Sequence, residues 1–323
     1  MKNHNKISAI IPTYNNALFL PQALASIRGQ TYPIHEIIIV DDGSIDNTAE
    51  VVAGLGQDIK YLHQQNAGPA AARNHGIANA TGQYIAFLDA DDQWSSHKTE
   101  QQMAIMEKQP DVALIASDMT EIDLSDKVLV DSVLRKHGMH DFFQGLNGMP
   151  VPHALALLVR KNFIPTGTVI VKKAVLLETG GFNLNIRYGE DLELWARIAR
   201  RYPLVCLPEV HLVRRQHAAN TTKSIEPMLR DLVKVMITIK AWGASELRSQ
   251  GVDINDMTAS AWADLGYWHF THGEMVRARH SFLESLNNKL SCRALMYAIF
   301  SLFPNSIIEK LRRTKQRMVN NKL

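Results

Sequence analysis

Between residues 7 and 117, short unbroken apolar runs alternate with helical patterns, and no other feature restricts the fold as much. "ISAII" (7–11), "EIIIV" (36–40), "IKYLHQ" (59–64), "YIAFL" (84–88) and "VALIAS" (112–117) read as strands. The stretches 17–29, 46–55, 68–80 and 98–108 between them read as helices; in the first, Leu18, Leu20, Leu24 and Ile27 recur at helical spacing. A strand with one wet face alternates polar and apolar residues. Apart from "IKYLHQ", which polar residues interrupt, these runs do not alternate, so both of their faces must be covered. Apolar strands each followed by a helix predict an α/β fold, a mostly parallel sheet with helices on both faces. Ligands of such sheets sit outside the carboxyl ends of the strands. Pro12-Thr13, Asp41-Asp42 and Asp89–Asp92 all stand at those ends and are expected to converge in one crevice.

Further along, "TVIVKK" (168–173) reads as a strand and "EDLELWARIARRY" (190–202) as an amphipathic helix with Leu192, Leu194, Trp195, Ile198 and Ala199 on its apolar side. Residues 204–217 read as a final strand pair. Residues 120–165 show weak periodicity around Gly138, Gly145, Gly148, Pro150 and Pro152 and are expected to form a long functional or mobile loop region. Strand signals stop near 225, which divides the chain into a sheet domain, 1–224, and a helical region with a basic tail, 225–323. Within the latter, Trp262, Leu265, Gly266, Ala278 and Phe282 sit at the offsets of one tetratricopeptide repeat. Stable arrays need about three repeats, so a single helical hairpin packed on the main domain is the plainer alternative. The segment 294–323 joins a short apolar helix to Lys310, Arg312, Arg313, Lys315, Arg317 and Lys322. It can lie on an anionic membrane surface, or be a last core helix with a solvated tail.

A formal net charge of +3 over 323 residues does not call for nucleic acid as a partner. Two cysteines, Cys206 and Cys292, make no disulfide framework or metal motif and fit a reduced compartment. The first residues, "MKNHNKISAIIPTY", lack the apolar core of a signal peptide, and no apolar stretch reaches the roughly 18 residues of a membrane span. The expected location is cytoplasmic, with the inner membrane face as a peripheral site.

Asp89, Asp91 and Asp92 in "FLDADD" crowd three carboxylates whose repulsion raises their pKa values. A divalent cation offsets that repulsion, and Mg²⁺ or Mn²⁺ commonly joins one or two carboxylates to substrate phosphates. A solvated acidic turn that caps a helix is the alternative. At the neighbouring strand end, Asp41-Asp42-Gly43-Ser44 offers a carboxylate to a nucleobase N–H, or else Asp42 and Ser44 cap the following helix.

"IIPTYNN", "VDDGSIDNT", "GPAAARNHGI", "FLDADD" and "GGFN…YGEDLELWARI" follow one another in the order seen in family 2 glycosyltransferases, and residues 6–217 resemble that family and its GT-A Rossmann-like fold. The resemblance implies a nucleotide-sugar donor, a UDP-sugar foremost, with Mn²⁺ or Mg²⁺ and inversion at the anomeric carbon. It also implies a saccharide or lipid-linked acceptor in bacterial-type surface polysaccharide synthesis. Carried over by motif, Pro12, Thr13 and Tyr14 would line the nucleobase pocket, with Asp41 on the base and Asp42 beside it. Arg73 would lie near the base or diphosphate, Asp89 with Ala90 at the ribose, and Asp91 on the metal. Asp191 of the Glu190-Asp191 pair would be the base that takes the acceptor's proton, with Glu190 raising its basicity; the pair reads otherwise as ordinary first-turn helix acids. His217 would reach the metal or diphosphate, though a lone His is more often structural, and Arg214 and Arg215 would assist the leaving group.

The Q-x-x-R-W signature of processive synthases is absent, which favours transfer of a single sugar. A nucleotidyltransferase would carry a glycine-rich phosphate loop after the first strand, and "PTYNN" has no glycine. A non-catalytic nucleotide-sugar-binding or scaffold protein using its helical tail is the alternative from another class; it would be expected to have lost Asp41, Asp91 or Asp191.

Overall fold

The computed structural model describes residues 5–217 and 224–303. The chain divides into two compact units, Met1–Lys223 and Ser224–Leu323. The strands of the first unit are β1 (Ile7–Thr13), β2 (Glu36–Asp41), β3 (Ile59–His63), β4 (Tyr84–Phe87), β5 (Gln93–Trp94), β6 (Leu114–Ile122), β7 (Val128–Val130), β8 (Ile170–Lys172) and β9 (Leu204–Arg215). They join in one sheet in the order β3-β2-β1-β4-β8-β6-β9-β5, with β7 added to β6. The run β3-β2-β1-β4 is parallel, as the apolar strands predict. Beyond β4 the sheet is mixed: β8 lies antiparallel to both β4 and β6, β9 runs parallel to β6, and β5 antiparallel to β9.

Helices cover both faces. Ile7, Ala9 and Ile11 of β1 share a core with Leu20, Leu24 and Ile27 of α1 (Leu20–Arg28) and with Met103 and Met106 of α4 (Lys98–Lys108). Between them in sequence, α2 spans Thr48–Gly54 and α3 Pro69–Asn79. On the opposite face Ile10 meets α3 at Gly76, where an added Cβ would stand 2.5 Å from Ile10 Cγ2. Gly76 is therefore a close-approach glycine, which explains a residue otherwise costly inside a helix.

Two expectations are corrected. Residues 120–165 are not a long loop: β6 continues to Ile122, and β7, α5 (Val133–Lys136), α6 (His140–Leu146) and α7 (Ala154–Arg160) follow. Residues 204–215 form one strand, not a pair; its register against β6 shifts around Asp118, so the irregularity is a bulge within one continuous ladder. A 3-10 turn (Thr166–Thr168), α8 (Lys173–Glu178) and α9 (Glu190–Ala199) complete the unit.

The carboxyl ends of the four parallel strands share one edge. Thr13 pairs with Asp41, Asp42 N–H donates to Thr13 O (2.9 Å), Gln64 N–H to Asp41 O (2.9 Å) and Leu88 N–H to Ile10 O (3.1 Å). The sequence-predicted turns thus assemble side by side.

The second unit consists, among the described residues, of α10 (Ile225–Ser249), α11 (Ile254–Thr271), α12 (Met275–Asn288) and α13 (Cys292–Phe300). α11 and α12 form a hairpin: Gly266 lies against the Phe282 ring, where a Cβ would be 3.0 Å away, and Trp262 meets His280 edge-on at 5.8 Å. No helix among the described residues is long and apolar enough to cross a membrane. The basic residues Lys310 to Lys322 lie outside the described residues.

Candidate active site

The wall of the crevice is built by loops that bond to one another. Asn15, in the left-handed region at φ 53°, donates its N–H to Ser44 Oγ (2.9 Å) and accepts from Ile45 N–H (2.8 Å). Asp46 Oδ1 takes both the N–H and the hydroxyl of Thr48 (3.1 and 2.5 Å), so the carboxylate that holds the first residue of α2 is Asp46, just before the N-cap Asn47, and not Asp42 or Ser44. Asp41 is buried and fully engaged: Oδ1 accepts Ser44 N–H (2.8 Å) and Oδ2 the Tyr61 hydroxyl (2.5 Å). Asp42 accepts Gln64 Nε2 (2.7 Å) and the Ala67 and Gly68 N–H groups (2.9 and 2.8 Å), which holds the turn into α3. Of the residues expected to line a base, Thr13 is buried, Pro12 half-buried and Tyr14 exposed.

The acidic turn divides its labour. Asp92 is buried, and its Oδ1 accepts the N–H of Arg215 (3.0 Å), tying the turn to β9. Burial, then Asp91 and Asp89, push its carboxyl well above the usual range. Ala90 is buried beneath the turn. Asp91 instead meets the other predicted ligand: Oδ2 lies 2.9 Å from His217 Nε2. The imidazole stacks on Phe19, with centroids 5.1 Å apart, so the ring orientation is fixed. Burial, then Asp89, raise the Asp91 pKa, and His217 works against that rise. One carboxylate oxygen and one imidazole nitrogen side by side fit Mn²⁺ or Mg²⁺ when substrate phosphates supply further ligands. Arg214 and Arg215 are held by carboxylates of their own chain, Glu121 at 3.5 Å and Asp126 at 2.7 Å.

Arg73 connects this turn to the second acidic pair. Its Nη2 donates to Asp89 (2.8 Å) and its Nη1 to Glu190 (2.8 Å), and the guanidinium lies 5.5 Å from the Phe182 ring centroid. Burial disfavours the cation, but Asp89 and Glu190 outweigh burial and raise its pKa. Asn74 positions it from the next residue, exchanging 2.8 Å hydrogen bonds with both the N–H and the C=O of Phe182. Gly189 at φ 80° turns the chain into α9. Arg197 anchors the helix, bonding Glu193 (2.7 Å) and the carbonyls of Thr179 and Gly181.

Asp191 is half-buried at the start of α9. Oδ1 accepts Leu192 N–H (2.6 Å), and Oδ2 receives long hydrogen bonds from Asn162 and Thr166 (3.4 Å each). Burial raises its pKa against these bonds and against Arg73. Trp94 Nε1 donates to Gly167 O (2.7 Å), so the strand that follows the acidic turn braces the Thr166 turn beneath Asp191. Glu190 is pushed up to about 7, by burial first, with Arg73 opposing and Asp191 adding to the rise.

This shift has a consequence for stability. The unfolded chain releases the Glu190 proton near its ordinary 4.5, whereas the folded chain holds it to about 7. The contribution is therefore complete below pH 4.5 and is lost as pH rises through 7. Denaturant titrations of wild type and Glu190→Gln at pH 5 and pH 8 should give a smaller loss of stability on raising pH in the variant. Equal losses in both proteins would contradict the shift.

Asn74, Phe182, Thr166, Trp94 and Phe19 escape the sequence reading; only Asn74 and Phe182 stand inside quoted motifs, "GPAAARNHGI" and "GGFN".

A sheet whose parallel strands end in an acidic turn, covered by helices and followed by an acidic helix start, defines the GT-A class. Solved structures share this fold. S. aureus TarS 1–349 in complex with UDP-GlcNAc aligns at TM-score 0.64 and 16% identity over 96% of this chain and 92% of that one. Mannosyltransferase PcManGT from Pyrobaculum calidifontis, in complex with GDP-Man and Mn²⁺, aligns at 0.59 and 19% over 93% and 81%.

The profile of glycosyl transferase family 2 matches residues 8–164 of this chain. An uncharacterized glycosyltransferase of Rickettsia conorii is 38% identical over 205 residues, 62% of this chain and 31% of the relative. This chain thus spans about a third or less of the first curated relatives it matches (31%, 30% and 26%). A Campylobacter jejuni protein, GalNAc(5)-diNAcBac-PP-undecaprenol beta-1,3-glucosyltransferase, matches at 26% identity over 327 residues, 98% of this chain and 99% of its own.

Proposed function

We propose that the chain transfers one sugar from a nucleotide-sugar donor, a UDP-sugar foremost, to a saccharide on a lipid carrier, with inversion at the anomeric carbon and with Mn²⁺ or Mg²⁺. The observation that carries this reading is the Arg73 bridge: one guanidinium joins Asp89 of the acidic turn to Glu190, the neighbour of Asp191. Donor-side and acceptor-side carboxylates thereby belong to one site. Support for the donor comes from the UDP-GlcNAc and GDP-Man held by the two fold neighbours. Support for a lipid-linked saccharide comes from the full-length Campylobacter relative and the acceptor in its name.

In this reading Tyr14 and the wall around Asp41 receive the base, while Asp89 faces the ribose. Asp91 and His217 hold the cation, which when bound supplies positive charge to the departing diphosphate. Asp191, aimed by Leu192 N–H, Asn162 and Thr166, takes the proton of the acceptor hydroxyl as that oxygen attacks. Burial raises its basicity for this task. Arg73 holds the ribose side and the α9 start in register. A panel of UDP- and GDP-sugars, assayed for hydrolysis and transfer with and without Mn²⁺, tests the reading. Metal-dependent turnover of at least one donor is expected, and no binding or turnover of any donor overturns it.

A further inference from the structure

α13 wears its large side chains on the outside. Ala294 and Ala298 are 1% and 7% exposed and face their own unit, whereas Leu295, Met296, Ile299 and Phe300 are 52%, 43%, 48% and 38% exposed. At about 100° per residue those four share one arc of roughly 140°. Leu302 and Phe303, 61% and 46% exposed, follow in the closing turn. A surface helix normally shows water its polar stripe. This arc holds no charge; Arg293 stands at its margin, with its guanidinium 5.6 Å from the Tyr267 ring centroid. An exposed apolar patch of this kind marks a contact surface.

The charge beside it selects the partner. After Phe303 the sequence carries Lys310, Arg312, Arg313, Lys315, Arg317 and Lys322 against the single acid Glu309. Two copies would each carry such a basic segment, and like charges oppose their association. An apolar arc continued by basic residues matches the boundary between anionic headgroups and acyl chains. We propose that α13 is a docking surface for an anionic lipid bilayer, with the arc from Leu295 to Phe303 entering the interface and the positive charge carried in the sequence after it adding attraction to anionic headgroups. This inference stands on the exposed arc of α13 and on the charge of the sequence that follows it, and does not depend on the transfer reading.

The full chain supplies its own probe. Cys292 is an exposed free thiol at the head of α13, and Cys206 is buried. An environment-sensitive fluorophore on Cys292 should shift to the blue with vesicles of phosphatidylcholine plus phosphatidylglycerol, but not with phosphatidylcholine alone, and salt should reverse the shift. At about fivefold per basic residue, Arg312→Gln, Arg313→Gln, Lys315→Gln and Arg317→Gln together should weaken vesicle partitioning by about a hundredfold or more. Leu295→Ser with Ile299→Ser, at exposed positions that should leave folding intact, should weaken it by about tenfold. Absent vesicle binding, or binding indifferent to both variants, overturns the proposal. So does light scattering that shows a dimer which Leu295→Ser and Ile299→Ser dissociate. Turnover on a soluble acceptor, measured in parallel, should be unchanged in these variants; absent turnover in the wild type would count against the transfer reading and leave this one intact.

Discussion

Asp191→Asn should lower transfer by about 10²–10⁴-fold, the range a positioned general base supplies, while donor affinity stays within about twofold. The amide keeps the volume of the carboxylate and can still accept Leu192 N–H, the shortest of its contacts at 2.6 Å. It cannot take a proton at any working pH. The long 3.4 Å bonds from Asn162 and Thr166 contribute orientation more than energy, so the variant should fold with wild-type stability. Single-turnover transfer to a soluble acceptor gives the rate, and calorimetry with donor and Mn²⁺ gives the affinity. Glu190 is the competing candidate, because it sits one residue away with a pKa of about 7. Retention of more than about a tenth of the wild-type rate in Asp191→Asn, with loss in Glu190→Gln, would move the base role to Glu190. Geometry favours Asp191: Glu190 spends a carboxylate oxygen on the buried Arg73, whereas both bonds to Asp191 Oδ2 are long.

The parallel half of the fold was legible because β1, β2 and β4 are apolar on both faces, a pattern local in sequence; the edge strand β3, with Lys60 and His63 exposed, shows it least. The region 120–165 was not, for a local reason as well. Its helices are four to seven residues long, one or two turns, too short for a helical period to register. The apolar run ends at 117, whereas β6 continues through the polar residues Asp118, Thr120 and Glu121 to Ile122. Asp118 is tolerated there, 1% exposed, because Ser132 Oγ and the N–H groups of Met119 and Leu134 satisfy its carboxylate. The site shows the same division. Asp91 and His217 could each be named from a motif and a strand end, but their 2.9 Å meeting joins residues 126 positions apart. Asp92 could not be separated from Asp91 by spacing; its bond to the Arg215 N–H separates them. The double grip of Arg73 spans 16 and 117 positions and leaves no trace in sequence.

That grip carries the second large effect. Arg73→Met, which keeps length and removes charge, should lower stability by about 3–5 kcal/mol, the cost of leaving one partner of a buried pair alone. The two arms do not contribute equally. Asp89 is 40% exposed at its side chain, and an ion pair so open to solvent is worth at most about 1 kcal/mol. Glu190, 10% exposed against 6% for Arg73, carries the rest. The loss should therefore be larger at pH 8 than at pH 5, because a protonated Glu190 needs no counter-charge. Adding Glu190→Gln to Arg73→Met should recover part of the loss, which a double-mutant cycle by denaturant titration reads directly. Arg73→Lys should fall between: the ammonium keeps the charge but cannot fork toward both carboxylates. A direct contact to donor diphosphate predicts another pattern, in which Arg73→Met weakens donor binding at unchanged stability and the cycle shows no coupling. The burial of the guanidinium, stacked over Phe182 and spent on two carboxylates, argues for the first outcome.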